Sequence, residues 1–471
     1  MNKEKLFMEK TDVAIIGGSA AGLMAAITVK KYYPDKKVTM IRNVKKTPVP
    51  CGIPYIYGVL KDVEKDIIPD QGFLDKGIDI LKLEVESVER EQKTIRFTDN
   101  TALAYDKLIL GVGSKPFMPP MPGTYLKNVF AVSKDPEYLQ QLFIALQGAK
   151  KVVVIGGGFI GVEMAEQVAK MGGAVIQDRI CSTEKSGSSI NVTIVEMLPH
   201  CLMLACEEEY CVEAENELGK LGIRVMTGSQ VESIEGNSKV SGVKLSNGET
   251  LPADLVIIGI GAIPNIELAK KMGLKADPRS GITVNEYLQT EDPDVYAAGD
   301  CASKFSLITG KPSGIRLASV ACSEAMIAAS NLFNPVRKTN GALGAFATTV
   351  GNRSIAAAGL TTKAAADEGI EVIIGEAVAA NRHPGGIPGC IGNMKAKLLF
   401  RKDNGKVIGG HISGGEAAAD MVNIVAVAIQ SGLTAQELAT MQYATHPLLT
   451  ASPLFYHIML AAENAAFEMA K

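Results

Sequence analysis

The sequence predicts an α/β protein in three parts: two nested, doubly wound β-α-β units and a C-terminal α+β domain. Three observations carry this. Two short apolar runs each lead into a glycine-rich turn and a helical pattern, at 12–31 and 151–170. A further strand pattern, ending in Gly299-Asp300, returns at 292–302 after the second unit has closed. Alternating short strand patterns with turn signals then fill 341–410, before helical patterns at 415–430 and 434–440. The chain of 471 residues, 47% of them hydrophobic, suffices for about three domains.

A formal charge of −3 gives no basis for nucleic-acid binding. No apolar run reaches the ~18 residues of a membrane span, and the longest, 421–429, reads as a buried helix. The N-terminus lacks a signal-peptide core. None of the eight cysteines falls in a paired metal-type spacing; Cys201, Cys206 and Cys211 scatter around a helix as ordinary packing residues. A cytoplasmic location without a metal is the resulting expectation.

In the first unit, residues 12–16 form a strand and GGSAAG at 17–22 the turn. Gly17 permits the tight turn, Gly22 lets helix and strand pack closely, and the helix N-terminus faces a pyrophosphate. Ser19 stands at the second glycine of the usual motif and crowds the backbone approach. Taken alone, this motif also fits a Rossmann-like turn without ligand. The second strand ends in Arg42 where an acid is usual, which favours a phosphate or adenine contact over a ribose one. The Gly-x-Gly turn containing Gly113 and the Gly299-Asp300 pair support a dinucleotide in the same crevice. Asp300 follows a strand's C-terminal end, where it either accepts hydrogen bonds from a ribityl chain or caps the next helix.

The second unit carries the full glycine spacing at Gly156, Gly158 and Gly161, and its second strand ends in Glu196. A carboxylate there accepts the ribose 2′-hydroxyl and repels a 2′-phosphate, which favours NADH over NADPH. Glu163 is expected to face the nicotinamide, and the turn at Gly261 closes the unit. Residues 173–190 lengthen a helix-to-strand connection, so they are expected as a partly mobile surface excursion remote from the cofactor. The boundaries that follow are 1–118 and 283–335 for the first unit, 119–282 for the second, and 336–471 for the C-terminal domain.

Between the units lies VPCGIPYIYG, with Cys51. A thiol at a helix start feels the positive helix end, which lowers its pKa and favours the thiolate. The alternative is a buried structural cysteine. Near the C-terminus, MQYATHPLL holds Tyr443 and His446; a histidine before proline is by itself an ordinary loop residue.

The motifs GGSAAG, PCGIPY, GGGFIG, VYAAGD and ATHPLL together resemble the pyridine nucleotide–disulfide oxidoreductases over nearly the whole chain. The chain lacks the second cysteine of a CxxxxC pair, so it is similar to the single-cysteine branch: CoA-disulfide and persulfide reductases, NADH oxidases and NADH peroxidases. The resemblance implies FAD in the first unit, NADH in the second, and a homodimer whose C-terminal domains complete each other's sites. It implies that electrons pass from NADH through flavin and Cys51 to a small disulfide or persulfide such as CoA disulfide. The alternatives are an oxidase reducing oxygen and a reductase feeding a protein partner. NADH peroxidases and the water-forming oxidases carry a histidine where this chain has Ala20, which argues against peroxide chemistry. Tyr443 matches a tyrosine that hydrogen-bonds the active thiolate from the partner subunit. Arg382 and His383 replace a tyrosine pair, and His446 is a weaker candidate acid–base group. The glutamate that follows this histidine in two-cysteine relatives is Ala451 here. Lys30, Lys31 and Thr47 match residues that meet CoA phosphates, while an asparagine of that site is Pro50.

Overall fold

The computed structural model describes residues 8–174 and 190–471. Most of the 173–190 excursion and its expected mobility therefore lie outside the described residues.

The first sheet has seven strands. Met8–Ile16 is its centre, flanked in parallel by Val38–Ile41 and Ala102–Leu110, with Ile78–Leu81 beyond the former. Strand Val295–Ala297 pairs in parallel with Ala102–Leu110, at Val295 to Leu108. The chain thus leaves this sheet, builds a second unit and comes back. That second unit is an all-parallel sheet of five strands in the order Val129–Ala131, Leu255–Ile258, Lys151–Ile155, Asn191–Val195 and Arg224–Met226. Its central strands are buried almost throughout, as Val- and Ile-rich runs covered on both faces must be.

The C-terminal domain is an antiparallel sheet of five strands, with helix Ala418–Ser431 and helix His457–Met469 packed on it. Helix Thr362–Asp367 and the terminal helix were not expected from the sequence. Cys201 and Cys206 precede helix Glu208–Lys220 and only Cys211 lies on it, which corrects the reading of three thiols around one helix; all three are buried.

One packing detail positions the site. Ile53, Ile56 and Tyr57, just after Cys51, are fully buried in the core of the second unit beside Val162 and Val168 of helix Phe159–Met171. Each such side chain contributes about 1.5–3 kcal/mol by burial. The Cys51 segment belongs to the first unit by sequence but is anchored on the second.

Candidate active site

Two glycine-rich turns face the site, and both are built by backbone crowding. At Gly17 (φ +126°) a Cβ would lie 2.1 Å from the Gly111 carbonyl oxygen, and at Gly22 one would lie 1.8 Å from that of Gly17. In the second unit, a Cβ on Gly161 would lie 1.9 Å from the Gly156 carbonyl oxygen. Side chains are excluded at these points because helix and strand touch. Gly113, Gly158 and Gly261 are the reverse: a Cβ there would meet nothing within 4 Å. These glycines border open space at strand C-terminal ends, the cradle that two dinucleotides require. Ser19 precedes helix Ala20–Tyr32, but its side chain makes no capping bond. Gly299 is wedged between Ala21 and Ala321. Asp300 accepts from Ser114 Oγ at 2.7 Å and lies 3.4 Å from Lys134 Nζ.

The residues at the ends of the two second strands are opposite in charge and differ in duty. Glu196 accepts the Gly157 amide through Oε2 at 2.5 Å and the Leu198 amide through Oε1 at 2.7 Å. Each carboxylate oxygen keeps acceptor capacity for a ribose hydroxyl. Arg42, by contrast, is buried and committed inside the protein. Its Nη2 pairs with Asp70 at 2.7 Å and reaches the Lys45 carbonyl, and its Nη1 donates to Thr47 Oγ1 at 2.9 Å. Both Nη atoms are therefore held by protein groups, contrary to the expectation of a phosphate or adenine contact; Nε alone is buried without a partner.

The residues matched to CoA contacts are also redirected. Thr47 is buried and donates to the Gly18 carbonyl at 2.7 Å. Lys30 folds back on its own helix end, donating to the Pro34 and Lys36 carbonyls. Lys31 alone of the three stays exposed.

Cys51 is the only exposed cysteine among the described residues. No α-helix begins at it: residues 51–54 form turns, and a five-residue π-helix, Ile56–Leu60, follows. The expected lowering of its pKa is overturned. Crowding by its surroundings raises it, Glu163 and Asp66 raise it further, and Lys134 only partly opposes them. Glu163 comes from the first turns of helix Phe159–Met171 in the second unit. Its Oε1 accepts from Thr348 Oγ1 of the C-terminal domain at 2.8 Å. Burial, aided by Glu166 and opposed by Thr348, lifts the Glu163 carboxyl to about 7. One exposed thiol thus shares its surroundings with a carboxyl poised to change charge near neutrality.

The C-terminal candidates gather separately. His383 Nδ1 lies 3.1 Å from the Thr450 carbonyl, and the Arg382 guanidinium donates to the Pro388 carbonyl at 2.8 Å. Tyr443 stacks on Tyr456 at 4.2 Å between centroids and donates to the Pro453 carbonyl. His446 is exposed, its Nδ1 accepting the Leu448 amide. Loops 381–391 and 443–455 bring these four side chains to one region. No hydrogen bond, ion pair or ring contact joins them to Cys51 within one chain among the described residues.

Sequence reasoning missed several neighbours. Lys134 and Thr348 lie far from Cys51 or Glu163 in sequence, Asp66 follows Cys51 by 15 residues, and none of the three carries a motif. Tyr55 lay inside PCGIPY without a role; burial, Glu163 and the other nearby anionic groups raise its phenol strongly. Glu324 accepts the Gly299 amide at 2.8 Å and lies 3.5 Å from Lys304, and burial brings its carboxyl to about 7. Among the described residues no cluster could hold a metal ion, and no helix is long and apolar enough to cross a membrane.

Comparison with known proteins agrees with this geometry. Residues 11–325 match the pyridine nucleotide-disulphide oxidoreductase family and residues 346–453 its dimerisation domain. An NADH oxidase of Methanocaldococcus jannaschii is 33% identical over 464 residues, 96% of this chain and 98% of the relative. An NAD(P)H coenzyme A polysulfide/persulfide reductase of Pyrococcus horikoshii is 32% identical, covering 83% of this chain and 86% of the relative. The solved structure of an NAD-dependent persulfide reductase from A. fulgidus superposes with a TM-score of 0.87 at 28% identity, over 98% of this chain and 84% of that one. The chain belongs to the pyridine nucleotide-disulphide oxidoreductase family and is an FAD- and NAD(P)H-dependent oxidoreductase.

Proposed function

We propose that this pyridine nucleotide-disulphide oxidoreductase passes electrons from NADH to a low-molecular-weight disulfide or persulfide, such as CoA disulfide, through Cys51. The observation that carries the reading is the packing of the Cys51 segment: the residues that follow this exposed thiol, Ile53, Ile56 and Tyr57, are buried with the helix that carries Glu163. They put the one exposed described thiol where the two nucleotide-binding units meet.

FAD held by the Gly17–Gly22 turn and Asp300 would supply a hydride acceptor for the nicotinamide and an electron pair for a sulfur centre. The chain's own residues do the rest. Glu196 holds the adenosine ribose of NADH, and its negative charge discriminates against a 2′-phosphate. Glu163 faces the nicotinamide, and Thr348 holds its carboxyl in place. Asp300 accepts from the ribityl chain, with Ser114 and Lys134 fixing its orientation. Cys51 attacks the acceptor as a thiolate; a thiol–disulfide exchange follows and the first leaving thiol departs with a proton. The thiol's raised pKa calls for cationic help. Arg382, His383 and Tyr443, with His446 more weakly, supply charge and protons from the second protomer of a homodimer, across an interface built by the dimerisation domain. Lys31 is the remaining candidate for a CoA phosphate.

Oxygen reduction is the second reading, favoured by the name of the 33% identical relative. NADH-oxidation assays decide between them: CoA disulfide and a persulfide as acceptors under anaerobic conditions, and oxygen alone in air-saturated buffer. The proposal expects turnover with a sulfur acceptor that is lost in Cys51→Ser. Oxygen consumption unchanged in Cys51→Ser, without any sulfur turnover, would support the oxidase instead.

A further inference from the structure

A second thiol sits against the same glycine-rich turn that holds the strand leading to Cys51. Cys322 lies in the second turn of helix Ala318–Ser330 and is half-buried, with Sγ directed at the Ala20 carbonyl oxygen, 3.8 Å away. Ala20 is the first residue of the helix that follows the glycine-rich turn. Thr47, on the strand leading into the Cys51 loop, donates to the carbonyl of Gly18 in that same turn. The two cysteine-bearing segments are thus both pinned to one short stretch of backbone, Gly18 to Ala20. Gly299 closes the arrangement: a Cβ there would lie 3.0 Å from Ala21 and 3.1 Å from Ala321, so the starts of the two helices converge.

The two thiols differ in exposure: Cys51 is exposed and Cys322 is half-buried. Burial raises the Cys322 thiol, and Cys51 raises it further. Two thiols that feel each other cannot both ionise easily, so a thiolate on the accessible Cys51 keeps Cys322 protonated. The remaining described cysteines are unsuited to such a pairing. Cys201, Cys206, Cys211 and Cys301 are buried. Cys390 lies on the C-terminal loop, against the Arg382 carbonyl.

We propose that Cys322 is a second redox-active thiol that resolves the mixed disulfide on Cys51, forming a Cys51–Cys322 disulfide within the chain. This rests on the disulfide-reductase reading above. Cys51 thiolate attacks the acceptor RSSR; a Cys51–SR bond forms, the acceptor S–S bond breaks, and RS⁻ leaves and takes a proton. Cys322, giving up its proton, attacks the Cys51 sulfur and expels the second RS⁻, which takes that proton. The intrachain disulfide returns to two thiols with two electrons from NADH, so that RSSR, NADH and one proton yield two RSH and NAD⁺. The pair does the work of a CxxxxC motif with cysteines from two distant segments, and it releases both acceptor thiols before the next hydride arrives.

The test uses the full, FAD-loaded chain treated anaerobically with CoA disulfide, quenched with N-ethylmaleimide, digested without reductant and read by mass spectrometry. The expected result is a peptide pair joined through Cys51 and Cys322 that disappears after one equivalent of NADH. In Cys322→Ser, CoA should instead remain on Cys51, with one CoA released per chain and turnover reduced tenfold or more. Wild-type protein with CoA on Cys51 and N-ethylmaleimide on Cys322 would overturn the pairing and leave the reductase reading intact. Cys51 free of CoA and of any disulfide in both proteins would overturn both.

Discussion

The two nucleotide-binding units solve one backbone problem in the same way and one side-chain problem in opposite ways. In each, the last glycine of the turn presses on the carbonyl of the first, Gly22 on Gly17 and Gly161 on Gly156, so helix and strand meet at the same depth. After the second strand the units part. Arg42 turns inward and is consumed by Asp70, Thr47 and the Lys45 carbonyl, whereas Glu196, also buried, accepts one amide on each oxygen and keeps acceptor capacity on both. The first unit spends its end-of-strand charge on folding the segment that leads to Cys51. In the function proposed above, the second keeps its charge for a ligand. Duplicated backbone geometry therefore does not imply duplicated chemistry.

The comparison is broken most severely at the glycines. Gly22→Val should give protein that purifies without the flavin absorbance near 450 nm. Gly161→Val should keep the flavin but bleach ~100-fold more slowly with NADH, since no rearrangement short of parting helix from strand admits the side chain. If both variants lose flavin, or both keep NADH reactivity, the division of labour between the units is wrong.

Glu196→Ala comes next. It removes the ribose acceptor and leaves the Gly157 and Leu198 amides unpaired, so kcat/KM for NADH should fall roughly 10- to 100-fold. The NADPH value should hold or rise. Equal losses for both nucleotides would mean that Glu196 only braces its turn.

The matching change in the first unit should act on stability rather than binding. Asp70→Asn leaves buried Arg42 without its ion pair and should cost about 1–3 kcal/mol in urea unfolding, with flavin content per folded chain unchanged. Burial works against the Asp70 carboxylate, but hydrogen bonds from Lys82 and Arg42 win and hold its pKa below the ordinary 3.8. Its stabilisation is therefore complete above that ordinary value and is lost as pH falls through the lower, folded one. The variant should show no such acid loss.

The smallest effect sharpens the junction. Glu163→Gln removes an anion beside Cys51, so the thiol should ionise at lower pH and react with iodoacetamide roughly threefold faster near pH 8. Wild-type protein should show a flattening of that rate profile above about pH 7, where Glu163 becomes charged. A variant with an unchanged profile would remove Glu163 from the thiol's surroundings.

These contrasts also show what the sequence carries. The glycine turns, the return of the chain at Val295 and the strand-rich C-terminal domain were legible, because close packing and strand burial leave local patterns; the antiparallel order of its strands was not. The fates of Arg42, Lys30 and Thr47 were not. Arg42 is captured by a carboxylate 28 residues on, and Lys30 and Thr47 by backbone carbonyls that carry no sequence signal. The raised thiol pKa of Cys51 was missed for the same reason: the local Pro-Cys-Gly sequence suggested a helix start, while Glu163 arrives from the second unit and Asp66 folds back beside Val49 of the Cys51 segment. Cys322 stood in an ordinary apolar helix and drew no notice until that helix met Ala20.

The central claim is that electrons leave the flavin through Cys51. The most direct measurement mixes FAD-loaded protein, reduced anaerobically with one equivalent of NADH, with CoA disulfide and follows flavin absorbance. The account predicts rapid return of the oxidised flavin band in wild-type protein and none in Cys51→Ser. Equal reoxidation in both proteins would contradict it and make Cys51 a bystander.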